Sequence, residues 1–260
     1  MSKPIIFYDL VPKAGSKLFY SPNTMKTRLS LVHKGVDFET RAVTYADTRG
    51  ELKERTGFDR VFCPMLELPD GTFIMDSWKI AEWLEETYPD ASSLFLPDSE
   101  TPIDSNSGGL AVAKNYAWMF SEGFGSSDSE WSTFVELASE PLRQLMDPEV
   151  AEYFSSDSKN GDGAWAAMLA KDHDSLVSHA KASLLPLDST LARTDYLTGN
   201  SPGYVDYVAY GRYIMMRSVV PELAKEVWEN GNVPRVAQWL RRLETKFAEG
   251  LEEVLCEMSR

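Results

Sequence analysis

The spacing of the apolar residues changes once along this chain, near residue 90, and no other feature restricts the fold as much. Before that point, short apolar runs with strand character alternate with runs at helical spacing. After it, only helical spacing remains. Ile5-Ile6-Phe7-Tyr8 reads as a strand, and residues 11–21, with Pro12, Gly15 and Ser16, as a loop. Met25, Leu29 and Val32 then fall at i, i+4 and i+7, and Gly35 is a stop signal. A second strand runs from Phe38 to Val43, followed by a polar stretch, 47–57, that suits a short and poorly anchored helix. Met65 to Met75 reads as a hairpin turning at Asp70-Gly71. Asp76 and Ser77 are N-cap types ahead of Ile80, Ala81, Trp83, Leu84 and Tyr88, and Pro89 closes that helix.

Residues 91–105, rich in Pro, Ser and Asp, read as a linker. The expected division is an α/β domain over 1–90, the linker, and an all-helical domain over 106–260. In the second domain, helices are expected over 110–124, 131–155 with interruptions at Pro141 and Pro148, 164–192 with a kink at Pro186, 206–217 and 234–258. The segments 121–129 and 155–163 read as loops.

A net charge of −14 argues against nucleic acid and against anionic membrane as partners, since both attract basic surfaces. The two cysteines, Cys63 and Cys256, form neither a CxxC pair nor a zinc spacing, and the three histidines have no metal spacing. No metal is expected. No signal peptide and no apolar run of about 18 residues is visible, so the expected compartment is the cytoplasm.

Four local features sit on this framework. Phe62-Cys63-Pro64-Met65 precedes the hairpin. Asp76-Ser77 opens a helix, where N–H groups attract anions. Tyr20-Ser21-Pro22-Asn23-Thr24 joins the first strand to the first helix. Tyr196-Leu197-Thr198-Gly199 with Asp206 caps a helix of the second domain, with Gly203 where Ser or Thr is usual. Each also has a plain structural meaning: an edge or turn proline, a simple N-cap, a turn plus N-cap, and a folding signal.

Together, over nearly the whole chain, they resemble the cytosolic glutathione transferase family. The resemblance implies a thioredoxin-like N-terminal domain plus an all-α C-terminal domain. It implies glutathione as co-substrate, with a cis Pro64 and with Cys63 pairing its backbone with the cysteinyl unit. Ser77 would hold the γ-glutamyl carboxylate and Asp76, shorter than the commoner Glu, the α-amino group. Ser21 would stabilise the thiolate, with Asn23 as helper or alternative. No Cys stands in that stretch, which counts against thiol exchange with an enzyme nucleophile there. The stretch Phe7-Tyr8-Asp9-Leu10 with Ser21-Pro22-Asn23-Thr24-x-Lys26-Thr27-Arg28 is most similar to the etherase-related branch, that of lignin β-etherases and fungal etherase-like transferases. Met25 departs from its usual Trp.

Local positive charge for an anionic peptide must come from Lys26, Arg28, Lys34 or Arg41, with Lys34 favoured by the branch; solvated cations on an amphipathic face are the alternative. Pro22, Met25, Tyr116, Met119, Phe120 and Phe124 would wall the second-substrate pocket, although a stripe at helical spacing is also what a core helix shows. Cys63 is read as a buried small residue or as a partner for a mixed disulfide. The expected function is transfer of glutathione to hydrophobic aromatic electrophiles, an etherase-like detoxification. The alternatives are a ligandin holding aromatic or phenolic compounds, and a glutathione-dependent reductase. A homodimer is expected from the resemblance alone.

Overall fold

The computed structural model describes residues 3–97, 108–125, 132–230 and 232–258. The first part contains β1 (Ile5–Leu10), α1 (Pro22–His33), β2 (Phe38–Val43), α2 (Tyr45–Arg49), α3 (Glu51–Thr56), β3 (Met65–Glu67), β4 (Phe73–Met75) and α4 (Ser77–Thr87). Helices follow: α5 (Gly109–Gly125), α6 (Ser132–Gln144), α7 (Pro148–Ser155), α8 (Asp157–Asn160), α9 (Ala164–Leu169), α10 (His173–Ser183) and α11 (Leu185–Thr190). The last are α12 (Tyr204–Val219), α13 (Pro221–Ala224), α14 (Pro234–Lys246) and α15 (Ala248–Met258), with a π-helical turn at Lys225–Glu229. The fold is therefore a thioredoxin-like α/β unit followed by helices.

The four strands lie in the order β2-β1-β3-β4. β1 runs parallel to β2, with Ile5 opposite Phe38 and Leu10 opposite Val43, and antiparallel to β3, with Tyr8 opposite Met65. A parallel neighbour needs a crossover, and α1 supplies it. The hairpin forms at Asp70-Gly71: Gly71 takes a φ of 88° that suits glycine, and Leu68 N–H donates to the Thr72 carbonyl at 2.8 Å.

The stretch 47–57 differs from expectation. It forms two helices and is firmly anchored, because Thr48 and Leu52 are buried and Thr44 caps α2 reciprocally with Asp47. Residues 155–163, read as a loop, contain the single turn α8.

α1 is buried on nearly every side, from Thr24 to Leu31, because it lies between the sheet and α12. That explains two buried charges. Arg28 donates to Asp9 at 3.2 Å and to Thr40 at 3.1 Å, and its guanidinium lies over the rings of Phe7, Phe19 and Phe38. Burial raises the Asp9 carboxyl above its ordinary range, while the Arg28 charge opposes that shift.

Two close approaches seat α12 on the segments that precede the helical half. A Cβ on Gly211 of α12 would stand 2.5 Å from the Pro22 carbonyl oxygen at the start of α1. A Cβ on Gly203 would stand 2.6 Å from the Leu94 carbonyl oxygen, which instead accepts from Tyr204 N–H at 2.7 Å. Glycine replaces Ser or Thr there because the preceding segment occupies the space. The helix start is held from below: Asp206 accepts from Gly203 N–H, Leu197 N–H, both the N–H and hydroxyl of Thr198, and the Trp239 indole.

Replacing Gly211 with Ala should destabilise the protein by about 1–3 kcal/mol, the usual range for overpacking. Denaturant unfolding checks this, and a change below about 0.5 kcal/mol, the scatter of neutral surface changes, would show that the Pro22 carbonyl moves aside freely.

Candidate functional site

The C-terminal end of β1, the N-terminus of α1 and the N-terminus of α4 converge with the 62–64 turn. The Cys63-Pro64 bond is cis, and the Pro64 carbonyl accepts from Asp76 N–H at 3.2 Å, tying that turn to the start of α4. Asp76 is the only non-glycine with positive φ among the described residues, at φ 93° and ψ 128°. Such a backbone costs of order 1–3 kcal/mol and persists where the surroundings hold it. What holds it is its own carboxylate: Oδ1 accepts from Trp78 N–H at 2.9 Å and Lys79 N–H at 3.1 Å. Oδ2 takes no part in the cap.

A cavity of about 340 Å³ opens here, lined by Asn23 and Lys26 of α1, Phe62, Cys63 and Pro64, Asp76, Ser77 and Trp78, and Trp118, Ser121 and Glu122 of α5. Behind it the buried Tyr204 hydroxyl lies close to Ser77 and Ser121 without a well-formed hydrogen bond. Burial raises this phenol well above its ordinary value, so it stays protonated.

A second cavity, of about 500 Å³, shares Asn23, Phe62 and Cys63 with the first. Ser21 lines it, with Tyr45, Thr48 and Arg49 of α2, Lys53 of α3, Asp59 and Arg60, and Tyr153 and Lys159 of α7 and α8. Four cations face one carboxylate, in a chain whose net charge is −14. The Arg49 guanidinium lies 4.1 Å from the Tyr153 ring centroid, and the Lys159 ammonium 4.6 Å from that of Phe154. The first contact fastens α2 to the helical arm, and Lys159 also lies 5.9 Å from the ring centroid of Tyr45 in α2.

Ser21 is the N-cap of α1, its Oγ accepting from Thr24 N–H at 3.4 Å. Used as an acceptor there, the hydroxyl keeps its proton available to donate. Asn23 is exposed on the shared wall of both cavities. The structure therefore brings Ser21, Asn23, Cys63, Pro64, Asp76 and Ser77 into one connected region.

Other expected positions lie elsewhere. Lys34 lines neither cavity; its ammonium pairs with Glu85 at 3.0 Å and donates to the Tyr88 carbonyl, joining α1 to α4. Met25 is a core residue at 1% exposure, and Pro22 is pressed against Gly211. Tyr116 and Met119 line neither cavity, at 42% and 66% exposure, and Phe120 packs at the edge of the core. The side chain of Phe124 lies outside the described residues. The face of α5 that meets the cavity is Trp118, Ser121 and Glu122, at i, i+3 and i+4. That face is half polar, which a search for apolar stripes passes over. Arg28 and Arg41 serve β1, Arg41 donating to the Tyr8 hydroxyl at 3.3 Å, so Lys26 is the cation of the four that reaches a cavity.

Burial raises the Cys63 thiol, with Asp9 and Asp47 adding to the shift, so it stays protonated and is no nucleophile. Among the described residues no group of His, Cys, Asp or Glu is arranged for a metal, and no helix is long and apolar enough to cross a membrane.

Known proteins resemble this region in sequence and in fold. Residues 20–87 match the model of the family described as Glutathione S-transferase, N-terminal domain. Over that stretch the chain is similar to glutathione S-transferase N-terminal domains. Similar solved structures include a glutathione S-transferase of Ceriporiopsis subvermispora, CsGST83044, in complex with glutathione (22% identity, 94% of this chain and 100% of that chain, TM-score 0.72). Another is glutathione transferase GSTFuA3 of Phanerochaete chrysosporium (22%, 94% and 97%, TM-score 0.70). A third is CsGST63524 of Ceriporiopsis subvermispora, also in complex with glutathione (23%, 94% and 97%, TM-score 0.70). At these identities the likeness is one of fold: both halves have the glutathione transferase architecture.

The strain at Asp76 makes a prediction. Asp76→Ala loses the cap and keeps the unfavourable φ, whereas Asp76→Gly loses the cap but relieves the backbone. The glycine variant should be more stable than the alanine variant by about 1 kcal/mol in denaturant unfolding. The reverse order would mean that Asp76 is unstrained.

Proposed function

We propose that the protein is a glutathione transferase that activates the peptide's thiol with Ser21 and passes it to a hydrophobic aromatic electrophile. One observation carries this: the cis Cys63-Pro64 turn, the capped Asp76-Ser77 start of α4 and the Ser21-Asn23 start of α1 border two joined cavities of opposite character.

Glutathione has a zwitterionic end and a singly anionic end, and the cavities differ in the same way. The first offers Asp76 Oδ2 for an ammonium and the Ser77 hydroxyl for a carboxylate. The second offers Arg49, Lys53, Arg60 and Lys159 for the glycyl carboxylate. A peptide laid across them puts its thiol at the shared wall, beside Asn23 and the Ser21 hydroxyl. A free thiol has a pKa of about 8.5, so a donor and the N-terminus of α1 increase the thiolate fraction at neutral pH. Attack on carbon then needs positioning more than further acid–base chemistry. The protein forms no covalent bond. Tyr45, Tyr153 and Phe62 give the second cavity aromatic walls for the electrophile. An etherase-like detoxifying role in the cytoplasm, as a homodimer, extends the same reading.

The same walls support a second reading, a ligandin that holds aromatic or phenolic compounds with little turnover. The reductase alternative is weaker, because the thiol at the site, Cys63, is held protonated.

Glutathione should raise the melting temperature in a concentration-dependent way, by an amount that follows mass action. The rise should vanish in the Asp76→Ala/Ser77→Ala double variant. No rise in the parent protein would contradict the glutathione reading. Ser21→Ala should reduce turnover of an aromatic electrophile about tenfold to a hundredfold with glutathione affinity nearly unchanged. An unchanged rate would remove Ser21 from the chemistry.

A further inference from the structure

Lys26 is a buried cation that forms no ion pair among the described residues. It sits in the first turns of α1, 8% exposed, and lines the first cavity. Its ammonium has one hydrogen-bond partner, the Ser121 hydroxyl at 3.4 Å. A buried charge in this condition is costly unless something else completes it.

The groups facing it come from three other elements. Asp76 at the start of α4 and Glu122 of α5 favour its charged form. Arg212 of α12 and burial itself oppose it, and burial is the largest effect. The balance pushes the ammonium down to about 8. Ser121, Asn23, Ser77 and the protonated Tyr204 complete the surroundings without adding charge.

The start of α4 is also short of donors for an anion. Two of its early N–H groups, those of Trp78 and Lys79, are taken by Asp76. Lys26 reaches the same end of the cavity through Ser121, and the Tyr204 hydroxyl lies close to both Ser121 and Ser77. An anion beside Ser77 would therefore meet Lys26.

We propose that Lys26 is a further glutathione-binding residue: its ammonium takes the α-carboxylate of the γ-glutamyl group as its missing counter-ion. The proposal rests on the glutathione reading. It assigns the two carboxylates of the peptide to different cations, the glycyl one to the second cavity and the γ-glutamyl one to Lys26. An anion nearby favours the charged lysine, so affinity should fall as pH rises above about 8, where the free protein increasingly holds Lys26 neutral.

The test uses S-methylglutathione, whose blocked thiol removes thiolate formation from the proton count. Titration calorimetry at pH 8 in two buffers of different ionisation enthalpy measures affinity and proton uptake together. Wild-type protein should take up as much as about half a proton more per site than Lys26→Met. Lys26→Met should bind about tenfold more weakly or worse. Lys26→Arg, always charged, should keep most of the affinity and lose Lys26's share of the uptake. With the S-methyl 4-aminobutyryl analogue, which lacks the α-carboxylate, wild type and Lys26→Met should bind alike. The free Lys26→Met protein should be at least as stable as wild type, since it sheds an uncompensated charge; a large loss of stability would mark Lys26 as structural.

Equal affinity and equal proton uptake in wild type and Lys26→Met would overturn the proposal while leaving the glutathione site standing. A loss as large with the analogue as with S-methylglutathione would overturn it too. So would a loss seen only with thiol-bearing glutathione, because Lys26 would then serve the sulfur. No binding of S-methylglutathione by wild type would overturn the underlying reading itself.

Discussion

The contact between α1 and α12 is the constraint on which the rest of this structure depends. α1 is the crossover of the α/β unit, and its N-terminus carries Ser21, Asn23 and Lys26. α12 is the central helix of the second half, buried from Tyr204 to Met216. Gly211 lets the backbone at Pro22 come down onto α12, where any side chain at 211 would hold it off. The contact holds the Pro22 end of α1, next to the Ser21 cap, against α12. The site is therefore built by both halves: the first supplies Ser21, Asn23, Lys26, Asp76 and Ser77, the second Ser121, Glu122, Tyr153 and Lys159.

Charge is distributed with the same economy. The chain is acidic overall, yet the region between α1, α4 and α7–α8 collects cations. Those with structural roles are consumed: Arg28 by Asp9, Lys34 by Glu85, Arg41 by Tyr8. Those facing the cavities, Lys26, Arg49, Lys53, Arg60 and Lys159, remain to meet an anion. This separation matters because a buried ion pair stabilises little by itself, while an incomplete one favours a ligand that completes it.

Much of the fold was legible in the sequence because local signals agreed with the final packing. Asp70-Gly71 marked the hairpin, Asp76-Ser77 a helix start, and the strand runs alternated with helical ones. The site was legible where its residues lie in short motifs, as at Ser21-Pro22-Asn23 and Cys63-Pro64. It was not legible where the helical domain contributes. Tyr153 and Lys159 are about a hundred residues from Arg49 and Lys53, and only packing brings them together. The cavity-facing residues of α5 were missed for a related reason: the apolar Tyr116 and Met119 do not line the cavity, while Trp118, Ser121 and Glu122 do. Among four candidate cations, helical spacing alone offered no way to choose Lys26 over Lys34. Those positions differ only in what α4, α5 and α12 place against them.

The most direct test of the account is the thiol of bound glutathione. Its ultraviolet thiolate absorbance, followed against pH in the wild type and in Ser21→Ala, reports whether the site stabilises the anion. The account predicts titration well below the free value of about 8.5 in the wild type and a shift back toward it in the variant. A bound thiol that titrates like free glutathione in both proteins would contradict it, leaving a glutathione-binding fold without the means to activate its ligand.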